Sequence, residues 1–166
     1  MNQTERTCFH CGLEVPEHLH LTVRYENEDH ETCCAGCQAV AQSIIDAGLG
    51  NYYKQRTADA EKSELPPPEV LSQLKLYDLP EVQADFVEVG AGDERETVLM
   101  LGGITCAACV WLIEQQLLRM KGVVRVDLNY STHRCRVVWD SAHIELSDIL
   151  LKIRQTGYTA APYDAQ

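Results

Sequence analysis

The chain has 166 residues, enough for one domain of ordinary size or two small ones. Its net charge of −11 sits in residues 1–93, which hold 17 acids against 6 bases, whereas the remainder balances 8 against 8; so acidic and arginine-poor a surface repels phosphate backbones and disfavours nucleic acid as a partner. No stretch reaches the roughly 18 uninterrupted apolar residues of a membrane span, and MNQTERTCFH has no apolar signal core, so no membrane insertion is expected and the thiols are placed in a reducing cytoplasm.

In chain order, the pair Cys8 and Cys11 in CFHCG opens a cysteine-rich module expected over residues 1–56. Leu19, Leu21, Val23 and Tyr25 alternate with polar residues as a strand does, and the polar run Glu26 to Asp29 reads as its turn. Cys33, Cys34 and Cys37 follow. Val40, Ala41, Ile44, Ile45, Leu49 and Tyr52 then recur at helical spacing, which predicts one helix. Residues 57–93 are expected as a Pro-rich acidic linker with a partly ordered segment, because three consecutive prolines in TADAEKSELPPPEV favour an extended spacer, while LSQLKLY can form a short helix and DLPEVQADFVEV has apolar residues able to pack on a neighbour.

Residues 94–166 carry the clearest pattern. Thr97 to Leu101 predicts a strand, Cys106 to Met120 a helix with Val110, Ile113, Leu117 and Leu118 on one side, and Val123 to Tyr130 and Arg134 to Trp139 two more strands. A helix over Leu146 to Gln155, capped by Ser147 and stopped by Gly157, leads to a last strand around Tyr158 to Ala161. The fold class is therefore α+β: a small zinc-knuckle domain of hairpin plus helix, followed by a ferredoxin-like βαββαβ domain with both helices on one face of an antiparallel sheet.

Cysteine spacing carries the chemistry. All but Cys135 of the eight cysteines fall in compact clusters, which is metal spacing rather than a disulfide framework. Cys106 and Cys109 stand where a strand turns into a helix, with glycines at 102 and 103 for the turn and alanines at 107 and 108 leaving the sulfurs uncrowded. Helix-start N–H groups favour thiolate there, and two soft thiolates without further ligands suit Cu(I) better than four-coordinate zinc. That reading expects an exposed, undercrowded pair on a surface loop. In the first module, Cys8, Cys11, Cys33 and Cys37 are the expected ligand set, for zinc or another metal, with Cys34 as the alternative to Cys33. Cys135 reads as a small core residue, His10 as a loop filler, and His18, His20, His30, His133 and His143 as solvated.

At GGITCAACVWLIE the chain resembles the heavy-metal-associated domain of copper-transporting P-type ATPases and of small copper chaperones, over Glu94 to Tyr163. The Gly157-Tyr158 pair is similar to the ATPase version, whose tyrosine lies close to the metal loop; Ile104 departs from the methionine common two residues before the first cysteine, and would pack beneath the loop in its place. The Cys11, Cys33 and Cys37 spacing resembles a TRASH-type zinc knuckle. With CQAVAQSIIDAGLGNYYKQR and LYDLPEVQADFV, it also resembles the cysteine-rich metal-binding domain ahead of the heavy-metal-associated domain in the bacterial ATPase subgroup that supplies copper for assembling cbb3-type oxidase. The resemblance implies a cytosolic, non-catalytic N-terminal region of a copper pump. It would take Cu(I) at its CxxC from a copper chaperone or from glutathione, hold Zn(II) at the N-terminal cluster, and pass copper to, or regulate, the remaining domains of the ATPase in cis. The competing expectations are a thiol-disulfide oxidoreductase using Cys106 and Cys109, and a free-standing copper chaperone.

Overall fold

The computed structural model describes residues 6–63 and 67–163; Pro66, first of the three prolines, and the outer ends of both expected modules lie outside the described residues. The first module begins with a loop carrying Cys8 and Cys11, then a hairpin of β1 (Leu21–Tyr25) and β2 (Glu28–Thr32). Its turn is tighter than the polar run suggests. Glu26 and Asn27 both take positive φ, 52° and 67°, the two-residue geometry whose twist matches that of the strands, so Glu28 and Asp29 pair within β2 instead.

Helix α1 (Ala35–Asp46) follows at once, and α2 (Asn51–Gln55) after a break. The single helix expected through Tyr52 is thus two. Gly48, at φ 76°, closes α1 with its N–H on the Ile45 carbonyl, and Leu49 donates to Ile44, satisfying carbonyls that α1 leaves open. Residues 67–89 hold α3 (Pro68–Lys75), a 3-10 turn over Leu76–Asp78, α4 (Pro80–Gln83) and β3 (Glu88–Val89). Pro68 starts α3 at a position where the missing N–H costs nothing, and Leu74, Tyr77, Phe86 and Val87 lie on the main core.

The second module runs β4 (Glu94–Gly102), α5 (Ala107–Leu118), β5 (Val123–Asn129), β6 (Arg134–Asp140), α6 (Leu146–Gln155) and β7 (Thr159–Pro162). All pairings are antiparallel: β6 lies between β4 and β5, while β3 and β7 share the other edge of β4. This is the ferredoxin-like arrangement. On α5 the buried face is Cys109, Leu112, Ile113, Gln116 and Leu117; Leu118, placed on that side by the sequence reading, is 48% exposed because 3.6-residue periodicity carries it past the seam. Ser147 is not the cap of α6 either. The Asp148 carboxylate accepts the Glu145 N–H at 3.1 Å, and Ser147, already inside the helix, gives its N–H and hydroxyl to Asp78 at 2.8 and 2.5 Å.

One apolar cluster joins both modules. Val40, Ile44, Leu49 and Tyr52 belong to the same core as Leu99, Leu112, Trp139, Ile153 and Tyr158. A fully buried side chain of this size contributes about 1.5–3 kcal/mol, against at most about 1 kcal/mol for an exposed polar contact such as Arg119 to the Ala47 carbonyl, so the apolar seam holds the modules together.

Candidate metal centres

The first centre is built by two loops meeting at the start of α1. The CFHCG loop folds back on itself, with Cys8 N–H on the Leu13 carbonyl and Gly12 N–H on that of Cys8, and β2 delivers Cys33 beside it. The sulfurs of Cys8, Cys11, Cys33 and Cys37 all lie within 4.8 Å of one another, and all four residues are buried. Cys11 to Cys33 is 3.5 Å and Cys33 to Cys37 is 3.8 Å. Sulfurs about 2.3 Å from a tetrahedral ion stand about 3.8 Å apart, so this donor set fits a four-thiolate zinc geometry. Cys34 points elsewhere: its sulfur caps α1 by accepting the Cys37 N–H at 3.4 Å, and donates to the Ser63 carbonyl at 3.2 Å.

Charge within this set is uneven. The Cys37 thiol donates to Cys8 and, with backbone N–H groups of Cys11, Cys33 and His10, holds Cys8 down to about 4 against the effect of burial. The same bond to Cys8, together with burial, pushes Cys37 up, and burial followed by the Cys11 contact raises Cys33 to about 12. Four sulfurs so close give up all their protons only when a cation replaces them. His10, 1% exposed, stays neutral: burial and then the Arg56 charge lower it to about 4, and its ring nitrogens meet the Tyr53 hydroxyl at 2.9 Å and the Ser63 hydroxyl at 3.4 Å. His30 is half-buried and stacks on Phe9 at 4.3 Å, whereas His18 and His20 are exposed.

The second centre is at the junction of β4 and α5. Gly103 takes φ 93° to turn the chain, and Cys106 is the extended residue just before α5. Cys109 lies in the first helical turn with its N–H on the Cys106 carbonyl at 3.0 Å. Burial alone would raise the Cys106 thiol, but N–H groups of Thr57, Ala108, Ala58 and Cys109 together bring it below the ordinary value. Thr105 Oγ1 is 3.6 Å from the Cys109 sulfur and Tyr52 Oη 3.8 Å. Both nearby phenols stay protonated, Tyr52 raised to about 12 and Tyr158 higher still, by burial first. The expected exposed pair is not found: Cys106 is 2% and Cys109 0% exposed, both lying in the apolar core, with Tyr52 of α2 against Cys109 and Glu61 beside the Gly103 turn. Ile104 packs on the core as expected, and Cys135 is fully buried, its thiol pushed up to about 12 by burial and then by Glu114 and Asp127.

Sequence reasoning missed Tyr52 and residues 57–63 as neighbours of this pair. Tyr52 looked like one more residue of a helical stripe, and TADAEKS carries no motif. The one available signal was Arg56, a cation at the head of an acidic stretch, which donates to the Phe9 and His10 carbonyls at 2.7 and 2.5 Å and so ties residue 57 to the CFHCG loop.

Residues 7–91, half of the chain, match the family described as "Putative metal-binding domain of cation transport ATPase", and residues 98–159 match the heavy-metal-associated domain. Among relatives, a copper-exporting P-type ATPase of Bacillus subtilis is 36% identical over 66 residues, 40% of this chain and 8% of its own length. Copper-transporting ATPase 2 of Rattus norvegicus is 30% identical over 132 residues, 77% of this chain and 9% of its own length. The chain thus spans under a tenth of the length of these two relatives. Among solved structures, the yeast copper transporter domain Ccc2a is 31% identical, with 42% of this chain and 97% of that one covered at a TM-score of 0.39. For a copper-bound single-residue variant of CopA from Bacillus subtilis the values are 35%, 41%, 90% and 0.38. No helix among the described residues is long and apolar enough to cross a membrane. The chain belongs to the cation transport ATPase metal-binding family, with a heavy-metal-associated domain following that region.

Proposed function

We propose that the chain is the cytosolic metal-handling region of a copper-transporting P-type ATPase, with Cu(I) as cargo at Cys106 and Cys109 and a structural Zn(II) held by Cys8, Cys11, Cys33 and Cys37. One observation carries the reading: the clustered cysteines divide into a closed four-sulfur set and a separate two-sulfur pair, and Cys34 joins neither. Four thiolates satisfy zinc and leave it no open position, which is a structural site; two satisfy only a soft ion content with low coordination. At the pair, the N–H groups at the start of α5 and the Thr105 hydroxyl offset the negative charge of two thiolates and one monovalent cation.

The region itself performs no catalysis. It receives Cu(I) from a chaperone or from glutathione by ligand exchange, and hands it to, or regulates, the other domains of the pump in cis; relatives named as copper-exporting and copper-transporting ATPases support that setting. Anaerobic metal analysis of the full chain tests it. The expected result is one zinc and one Cu(I), with Cys106→Ser or Cys109→Ser each abolishing tight copper binding in competition with a chromophoric Cu(I) chelator while keeping zinc, and Cys135→Ser changing neither. Unchanged copper affinity in either variant of the pair would overturn the assignment.

A further inference from the structure

The segment Arg56 to Ser63 is a strap whose fixings all lie in the cysteine-rich module. At one end Arg56 donates to the Phe9 and His10 carbonyls at 2.7 and 2.5 Å and covers the Tyr52 ring at 5.7 Å. In the middle the Ala60 N–H meets the His10 carbonyl at 3.2 Å. At the far end the Ser63 N–H donates to the Cys37 sulfur at 3.4 Å, and the Ser63 carbonyl accepts from Cys34 at 3.2 Å. Between these fixings Thr57, Ala58 and Asp59 have exposed side chains, while the strap passes the metal loop, with Glu61 beside the Gly103 turn and the N–H groups of Thr57 and Ala58 among those that lower the Cys106 thiol. Tyr52, fully buried, brings its hydroxyl to 3.8 Å from the Cys109 sulfur.

We propose that the cysteine-rich module completes the Cys106/Cys109 site: Tyr52 and the strap form a roof that restricts the pair to a two-coordinate ion. This rests on the reading of Cys106 and Cys109 as the Cu(I) pair. Two thiolates and one Cu(I) leave a net negative charge, which the Thr57 and Ala58 N–H groups and the Tyr52 hydroxyl are placed to meet as hydrogen-bond donors. The covering chain leaves no open side for a third sulfur. A glutathione or partner thiol reaches the ion only when the strap lifts, so the roof sets both coordination number and exchange rate, and Tyr52, Thr57 and Ala58 are positioning residues for a site on the other module. The strap is one chain thick, and local opening of such a segment costs far less than global unfolding.

The test uses the full chain with zinc retained, comparing wild type with Thr57→Pro and Arg56→Ala. Thr57→Pro deletes one N–H donor, and Arg56 already has the extended backbone, φ −66° and ψ 144°, that precedes a proline. Arg56→Ala releases one end of the strap without touching either sulfur of the pair. In the copper-free protein, alkylation of Cys106 and Cys109 by iodoacetamide, read by peptide mass spectrometry, is expected to be slow in wild type and about tenfold faster in Arg56→Ala, the factor that corresponds to about 1.4 kcal/mol of lost closure. In the copper-loaded protein under millimolar glutathione, X-ray absorption is expected to show two sulfurs around copper in wild type and a third in both variants. Wild-type alkylation as fast as that of an unstructured cysteine peptide would overturn the roof, and so would a third sulfur in wild type. If one variant fails to fold, the other and the two wild-type measurements still decide. A chain that binds no Cu(I) through the pair refutes the functional reading instead, which the chelator competition shows separately.

Discussion

Cys33 and Cys34 are chemically identical neighbours with different surroundings. Cys33 follows β2 directly, its sulfur 3.5 Å from that of Cys11, whereas Cys34 has turned to cap α1. Serine at a helix N-cap is at least as good as cysteine, so Cys34→Ser is expected to keep a stoichiometric ion and an unchanged melting temperature, and Cys34→Ala to cost about 1 kcal/mol through the lost cap. Cys33→Ser should lose the ion, and zinc analysis of the two serine variants checks the pair of outcomes. Spacing alone leaves this choice open, because both i,i+3 and i,i+4 sulfurs reach Cys37; the hairpin ends at Thr32, which puts Cys33 beside the CFHCG loop. The burial of Cys106 was not legible. Nothing near the CxxC announces what covers it, since the covering atoms are backbone N–H groups of Thr57 and Ala58, far upstream in the chain, and backbone donors leave no trace in side-chain identity.

Among the elements, α6 shows how a local rule is overtaken by a distant partner. Ser147 has the identity of a cap, yet Glu145 is the capping residue, its N–H held by Asp148, and the Ser147 N–H in the first turn of α6 is met by Asp78 from the 3-10 turn, a carboxylate set where the dipole favours negative charge. Asp78→Ala is therefore expected to lower stability by about 1–2 kcal/mol, measured by thermal melting, with Asp78→Asn losing less because it still accepts from Ser147. The same contact gives LYDLPEVQADFV a reason to order against the second module. The strands and helices from β4 onward were legible to within a few residues because alternation and 3.6-residue periodicity are strong there. The break between α1 and α2 was not, since Leu49 and Tyr52 keep the helical spacing across it and only the left-handed Gly48 marks the stop.

Across the molecule, the two modules share a core yet differ in what holds each up. The loop and hairpin of the first bury little besides Val15, Val23 and the cysteines, too little apolar surface to stand alone, whereas β4 to β7 enclose Leu99, Val137, Trp139, Leu146, Ile149 and Ile153. Removing zinc from the full chain is expected to collapse the NMR dispersion of residues from Cys8 to Thr32 while β4 to β7 stay dispersed, with shifts concentrated where Tyr52 and Ile44 pack. Retained dispersion in the hairpin would show that the ion is not structural.

The antiparallel sheet also bears on behaviour at high concentration. One side of β4 is taken up by the short strands β3 and β7, the latter ending at Pro162, so β5 is the longest strand with an unpaired edge among the described residues. That strand is interrupted by a bulge between Val123 and Arg125 and carries the exposed Arg125–Asp127 ion pair, features that discourage a neighbouring chain from adding its own strand. A solution of the chain at high concentration is thereby protected from polymerising edge to edge along β5.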